Sequence, residues 1–119
     1  MFEGKLDEAA NLASRAIAKQ GAEPAFHGLR GDIRARQERY TDAVTNYDRA
    51  ISRSPDYYGF YLGRGMARAE LDERAEAKAD LQQSVELLPT AVAFLELGKI
   101  AEAEGNADLA SRYYQAAGQ

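Results

Sequence analysis

The chain has 119 residues and a formal net charge of −4, with 45% hydrophobic and 29% charged residues. This balance is typical of a folded protein, and the absence of cysteine excludes disulfides and thiolate metal sites. No apolar run approaches the roughly 20 residues that a membrane-spanning helix needs, and the chain lacks the basic excess expected of a duplex-binding surface.

Strong helix formers fill most of the sequence and few stretches are rich in β-branched residues, so an all-α fold is predicted. Pro55 and Pro89 should each end a helix, because proline cannot donate the required N–H. Asp56 and Thr90 follow these prolines and are candidate caps of the next helices. Seven helices are predicted, over residues 5–19, 24–37, 41–53, 57–70, 74–87, 91–103 and 107–117.

The sequence repeats itself at an interval of 34 residues. Gly31 recurs as Gly65, and Pro55 recurs as Pro89. The interval falls to 33 from Gly98 onwards, which a single residue lost between Pro89 and Gly98 explains. Other members of the repeat are Ala9, Ala43 and Ala77; Ala13, Tyr47 and Leu81; Ala16, Ala50 and Ser84; and, one residue early, Ala110, Tyr114 and Ala117.

Glycine, alanine, an aromatic, alanine and proline in fixed order at this period resemble the tetratricopeptide-repeat (TPR) family over nearly the whole chain. The resemblance implies an all-α, right-handed α-solenoid of antiparallel helix pairs, with about three and a half units. Residues 1–119 would then form a single domain, with units at 1–23 (partial), 24–57, 58–90 and 91–119. The first helix of each pair would line an inner, concave wall.

Five positions depart from the family pattern. Arg30 and Arg64 replace a leucine, and Arg34 and Arg68 replace a tyrosine. An arginine there can pack its stem and keep its charged head in water, so we expect these changes to affect local packing and not the fold. His27 stands where the family usually has a large aromatic residue, and we expect a structural role for it rather than proton transfer.

Both ends of the chain are expected to be cut from a longer protein. Gly4 and Gly105 are predicted to lie between paired helices, where a positive φ is often needed, so residues 2–4 would be the last turn of a missing helix. Terminal units of a solenoid usually carry a polar outer face, so we predict that the isolated chain self-associates through an exposed end. The apolar positions expected to pack helix 5–19 on helix 24–37 are Leu6, Ala9, Leu12, Ala13 and Ala16.

The residues present do not form a recognisable catalytic or metal-binding pattern. His27 is the single histidine, and the sequence contains no HExxH, GxxxxGK[ST] or GxGxxG motif. We therefore predict no catalytic residue, no metal and no cofactor in this chain. Carboxylates that could in principle do acid–base work are expected on solvated helix ends and outward faces, namely Glu70, Asp72, Glu73, Glu76, Glu102 and Glu104.

Helical periodicity places an apolar strip in the middle of the inner wall, with charged residues around it. A groove of this kind can take a helix or an extended segment in trans, so the predicted partner is a protein or peptide. A subset of TPR domains grips a C-terminal carboxylate with Lys, Arg and Asn, and the inner helices here supply no Asn. The candidate partner-binding residues are Asp32, Arg36, Tyr58, Leu62, Met66, Val92, Leu95, Lys99 and Glu102.

Three functions stay open at this point. The first is a protein-interaction scaffold, and the second is the partner- or substrate-recruiting region of a larger enzyme. The stretch from Val85 to Gln115 resembles the TPR tail of some bacterial envelope zinc metallopeptidases, although the zinc motif is absent. The third is a structural spacer or oligomerisation unit. The compartment is also open, with the cytoplasm and the periplasm both compatible with the sequence.

Overall fold

The structure is a computed structural model that describes residues 2–20 and 23–118. Over these ranges the chain forms helices joined by short turns, without strands. No helix in the described ranges is both long enough and apolar enough to cross a membrane. The helices are α1 (Phe2–Gln20), α2 (Pro24–Arg36), α3 (Tyr40–Arg53), α4 (Tyr58–Glu70), α5 (Arg74–Leu87), α6 (Ala91–Ala103) and α7 (Ala107–Gly118).

The helices stack in chain order as antiparallel pairs. Each helix packs on the one before and the one after it, and α2 also reaches α4, so the first helices of successive pairs lie side by side. The stack measures 48 × 32 × 24 Å, which is an elongated shape. The predicted right-handed α-solenoid is therefore confirmed, with α2, α4 and α6 along its inner wall.

Small residues let the helices of each pair approach closely, as the repeat predicts. A Cβ added at Gly31 would lie 2.8 Å from the Tyr47 ring, and one added at Gly98 would lie 2.5 Å from the Tyr114 ring. Ala43, Ala77 and Ala110 on the second helices are almost completely buried. Two apolar clusters follow from this packing, one around Tyr47 and one around Leu81.

Each turn between the two helices of a pair contains one residue in the left-handed backbone conformation. Gly105 has φ +79°, which confirms its predicted place between paired helices. Glu38 and Asp72 occupy the equivalent positions with φ of 61° and 60°, although neither is a glycine. The prediction for Gly4 is wrong, because Gly4 lies inside α1, which starts at Phe2. Residues 2–4 are thus the first turn of α1, while Met1 lies outside the described residues.

The two predicted caps behave differently. The Thr90 hydroxyl accepts a hydrogen bond from the Ala93 N–H at 3.2 Å and caps α6, as predicted. Asp56 does not cap α4, because the N-cap residue is Tyr57 and it makes no side-chain cap hydrogen bond. The two connections differ by one residue, which moves the helix start away from Asp56.

The expectation that the arginine heads lie in water is wrong for α4, and it is also wrong for Arg34 on α2, whose side chain is only 11% exposed. Arg64 donates two hydrogen bonds to the Asp80 carboxylate on α5, at 2.7 and 2.9 Å, and a third to Asp48 on α3 at 2.8 Å. Arg68 also donates to Asp80, at 3.0 Å. The Asp80 side chain is only 6% exposed. These arginines therefore form a largely buried ionic network that ties α4 to α5.

Candidate functional site

The inner wall contains an open cleft of about 400 Å³, which we call the central groove. It lies over α3, between the first helices of two successive pairs. Because α2 and α4 run side by side, residues one or two helical turns apart on each helix face into it. The residues that line the central groove are Asp32, Ala35, Arg36, Tyr40, Tyr47, Gly59, Leu62, Gly63, Met66, Ala67, Glu70 and Glu96.

The floor of the central groove is the ring of Tyr47. This residue is only 2% exposed, and its ring lies between Gly31 of its own pair and Gly63 of the next. Its hydroxyl donates a hydrogen bond to the Asp32 carboxylate. Burial, and then this hydrogen bond, raise the pKa of Tyr47 above its ordinary value. Tyr47 therefore stays protonated and fixes the position of Asp32.

The walls of the central groove leave apolar surface open. Leu62 is half-buried, whereas 38% of Met66 is exposed. An unbranched thioether side chain can adapt to the shape of an incoming group. The groove can thus accept one or two apolar side chains without opening the core beneath it.

The rim of the central groove carries more negative than positive charge. Its lining includes the carboxylates of Asp32, Glu70 and Glu96 but a single guanidinium, that of Arg36. Lys99 lies next to this rim and forms an ion pair with Glu96 at 3.0 Å. The rim therefore has a net negative charge, which Lys99 partly offsets.

Four of the predicted partner-binding residues come together in the central groove: Asp32, Arg36, Leu62 and Met66. The other five lie apart from it. Lys99 lines a smaller neighbouring cleft of about 210 Å³ that it shares with Glu70 and Glu96.

Two of the remaining predicted residues make local contacts instead. The Tyr58 ring lies 5.1 Å from that of Tyr57, and Glu102 accepts a hydrogen bond from the Tyr114 hydroxyl at 2.6 Å near the C-terminal end. That hydrogen bond is also the main cause that raises the pKa of Tyr114. Val92 and Leu95 are 48% and 41% exposed on α6 and do not line the central groove.

Several groove residues were missed from the sequence. Tyr40 and Tyr47 come from α3, a second helix, whereas every predicted residue lies on a first helix. Glu96 was missed together with Gly63, which occupies the same repeat position 33 residues earlier.

The described residues hold no group of three or more His, Asp or Glu side chains arranged to bind a metal. His27 is 5% exposed, and burial, together with the positive charges of Arg53, Arg49 and Arg30, lowers its pKa below 6.5. It is not part of the central groove lining. A buried, neutral imidazole in this position fits the predicted structural role.

An open stack of helix pairs with an apolar, charge-rimmed groove on its inner wall defines a helical-repeat protein-interaction scaffold. A family profile for the tetratricopeptide repeat matches residues 1–58. The match assigns residues 1–58, just under half of the chain, to the tetratricopeptide-repeat family, and the fold of the described helices continues the same pattern to the C-terminal end of the stack. A comparison with curated protein sequences gives no match. The resemblance to metallopeptidase tails gains no support and stays a prediction.

Solved structures share the fold over most of the chain. The crystal structure of MamA superposes with a TM-score of 0.87 at 18% identity, covering 94% of this chain and 66% of that one. MamA residues 41 to the end from Desulfovibrio magneticus RS-1 give 0.88 at 14% identity, covering 96% and 65%. The chain therefore spans slightly less than two thirds of these proteins.

A third similar structure contains a peptide. It is the first TPR of Spaghetti (RPAP3) bound to the HSP90 peptide SRMEEVD, with a TM-score of 0.82 and 29% identity. The match covers 87% of this chain and 82% of that one.

Proposed function

We propose that this chain binds a short segment of a partner protein in the central groove. The observation that carries the proposal is an apolar floor and wall inside a negatively charged rim. Met66 and Leu62 can pack against one apolar side chain of the segment. Asp32 and Glu70 can pair with basic groups on either side of it, whereas Glu96 is already paired with Lys99.

The charge of the rim also defines which ligands are disfavoured. An acidic segment, or a nucleic-acid phosphate backbone, would place like charges against Glu70 and Glu96. The inner helices also lack asparagine, so a clamp for a C-terminal carboxylate is not available. We therefore propose a basic, apolar-centred peptide, unlike the acidic HSP90 peptide in the RPAP3 structure.

The proposed binding unit spans two of the repeat units assigned from the sequence, 24–57 and 58–90. Their helices α2, α3 and α4 supply almost all of the groove lining, and only Glu96 comes from the unit at 91–119. The partial unit at 1–23 lies outside the central groove.

The test compares two fluorescein-labelled, C-terminally amidated peptides by fluorescence anisotropy: SRMEEVD and its charge-inverted counterpart SRMKKVK. We expect SRMKKVK to bind more tightly by at least about tenfold at low salt, and the difference to shrink at high salt because the rim charges are screened. Equal or tighter binding of SRMEEVD would overturn the proposed charge preference.

The site itself is tested with a matched pair of variants. Met66→Lys places a charge in the central groove and should weaken SRMKKVK binding by at least about tenfold. Leu88→Lys adds the same charge at a residue that is 45% exposed and does not line the groove, so binding should be retained. If both variants bind the peptide as the wild type does, the central groove is not the binding site.

A further inference from the structure

A second apolar cavity, of about 530 Å³, lies at the N-terminal end of the described stack, between α1 and α2. We call it the end groove. The prediction that Leu12 packs on the helix at 24–37 is wrong, because 55% of Leu12 is exposed, and Leu29 on α2 is 49% exposed. The end groove shares Asp32 and Arg36 with the lining of the central groove, and its apolar lining is Leu6, Ala9, Leu12, Ala13, Phe26, Leu29 and Ile33.

The repeat shows what the end groove lacks. Residues 34 positions further along occupy the same places one unit later, on α3 and α4. Asn46, the equivalent of Leu12, is 4% exposed, and Phe60, the equivalent of Phe26, is 9% exposed. The difference arises from α2, which packs on both α3 and α4. The end groove is thus the surface that a preceding first helix covers elsewhere in the stack.

We propose that the end groove binds one amphipathic helix of a partner polypeptide, lying on α1 and α2 as α2 lies on α3 and α4. The argument is continuity with an interface that the stack already contains, and it does not depend on the central groove. Neighbouring repeats bury one continuous core, and a helix at this place would extend that core by one element.

The lining specifies the chemistry of this helix. The ring of Phe60 fits against α2 because residue 28 is glycine, where a Cβ would lie 2.3 Å from a ring carbon. Phe26 is the equivalent of Phe60, so the partner helix needs a small residue opposite it. A bulkier side chain there would clash with the ring.

A second feature of the helix follows from Leu12. Its equivalent in the third unit, Asp80, accepts hydrogen bonds from Arg64 and Arg68 on the first helix of that unit. Leu12 is apolar, so arginines at these two positions of the partner helix would be buried without a carboxylate. The partner helix should therefore carry apolar residues there, four residues apart on one face.

The test uses labelled, end-capped peptides built on residues 23–38 of this chain. The first, EPAFHGLLGDILARQE, carries Arg30→Leu and Arg34→Leu and retains glycine at position 28. The second keeps both arginines, and the third adds Gly28→Leu to the first. By anisotropy, we expect the first peptide to bind at least about tenfold more tightly than either of the others. Equal binding of the three peptides would overturn the proposal.

Variants of the chain locate the site. Leu12→Glu and, independently, Leu29→Glu should each abolish binding of the first peptide, while Leu88→Glu should retain it. Circular dichroism of each variant checks that the helices persist. Retained binding by both groove variants, with the helices intact, would overturn the proposal. Met66→Lys should leave this binding unchanged, which separates failure of the end groove from failure of the central groove.

A second copy of the chain is the competing occupant. Sedimentation velocity of the unlabelled protein at increasing concentration distinguishes the two cases. The self-association predicted from the sequence would give a dimer, whereas the partner-helix proposal expects a monomer. A dimer that Leu12→Glu converts to a monomer would show that the end groove holds another copy, and the partner-helix proposal would be wrong.

Discussion

Tyr47 on α3 donates a hydrogen bond to Asp32 on α2, and its ring fills the space between Gly31 and Gly63. One side chain therefore closes the floor of the central groove, orients a rim carboxylate and joins two successive helix pairs. Stability and the shape of the groove depend on the same residue.

Tyr47→Phe separates the ring from the hydroxyl. The variant keeps the packing and loses the hydrogen bond to Asp32, so the free energy of unfolding should fall by about 1–2 kcal/mol. Urea denaturation at neutral pH measures it. Tyr61→Phe is the control, because the Tyr61 hydroxyl donates to the Pro55 carbonyl at an exposed site and should matter less. Equal losses of unfolding free energy in the two variants would show that the hydrogen bond to Asp32 stabilises the chain no more than an exposed one.

Gly63→Ala tests the close approach of α4 to Tyr47. The added Cβ would lie 2.4 Å from the ring, and the ring is buried and hydrogen-bonded, so it cannot move aside freely. We expect a loss of about 1–3 kcal/mol in the free energy of unfolding. Gly4→Ala is the matched control, since Gly4 is helical with no atom near its added Cβ, and stability there should be unchanged or slightly higher. An unchanged free energy of unfolding in Gly63→Ala would mean that α4 can move away from Tyr47 without loss of stability.

The ionic network around Asp80 predicts opposite effects at two equivalent positions. Asp80→Asn removes the charge that Arg64 and Arg68 share and should destabilise the chain by about 3 kcal/mol. Asn46 is the equivalent residue one unit earlier, and its buried Oδ1 has no hydrogen-bond partner. Asn46→Asp should supply a carboxylate to the arginines of α2 and stabilise the chain by about 1 kcal/mol.

Thermal unfolding of the single variants and of the double variant checks this pair. The two sites lie on different helix pairs, so their effects should add. If Asn46→Asp is as destabilising as Asp80→Asn, the arginines of α2 do not reach position 46 and the network is not repeated.

The helices could be predicted well from the sequence because the repeat fixes them. From α2 to α7 every predicted end lies within one residue of the observed one. The start of α1 was wrong because the interval relates Gly4 to Gly105 but carries no information on the local backbone. Gly105 occupies a left-handed turn, whereas Gly4 has a helix on both sides.

The central groove was only partly predictable. Leu62 and Met66 follow from the period of a single helix, whereas Tyr40 and Tyr47 reach the groove from α3, which packs on both α2 and α4. The pairing of Arg64 with Asp80 joins residues 16 positions apart on two helices. Such contacts depend on how helices pack, which the residue pattern along one helix does not determine.

Glu38→Gly should stabilise the chain. Glu38 has φ 61° at the position where the third pair has Gly105, and a side chain in this region costs about 1–2 kcal/mol, part of which glycine loses again through its freedom in the unfolded state. We expect a net gain of about 0.5–1 kcal/mol in urea denaturation. Asp72→Gly should gain less, because Asp tolerates this conformation better than Glu. Glu38→Ala, which retains the Cβ, should give no such gain, and a gain equal to that of glycine would contradict the explanation.

His27→Phe should change how stability depends on pH. Burial, followed by the positive charge of Arg53, lowers the pKa of His27 below its ordinary value of 6.5. Below pH 6.5 the histidine of the unfolded chain takes up a proton, whereas His27 in the folded chain does not. The free energy of unfolding therefore decreases as the pH falls from 6.5 to the folded pKa. Above pH 6.5 the group has no effect on stability. Carboxylate titration is common to the wild type and the variant. The difference between their melting temperatures should therefore be constant above about pH 7 and shift in favour of His27→Phe on acidification. Melting curves that stay parallel down to about pH 5 would show that His27 titrates normally in the folded chain.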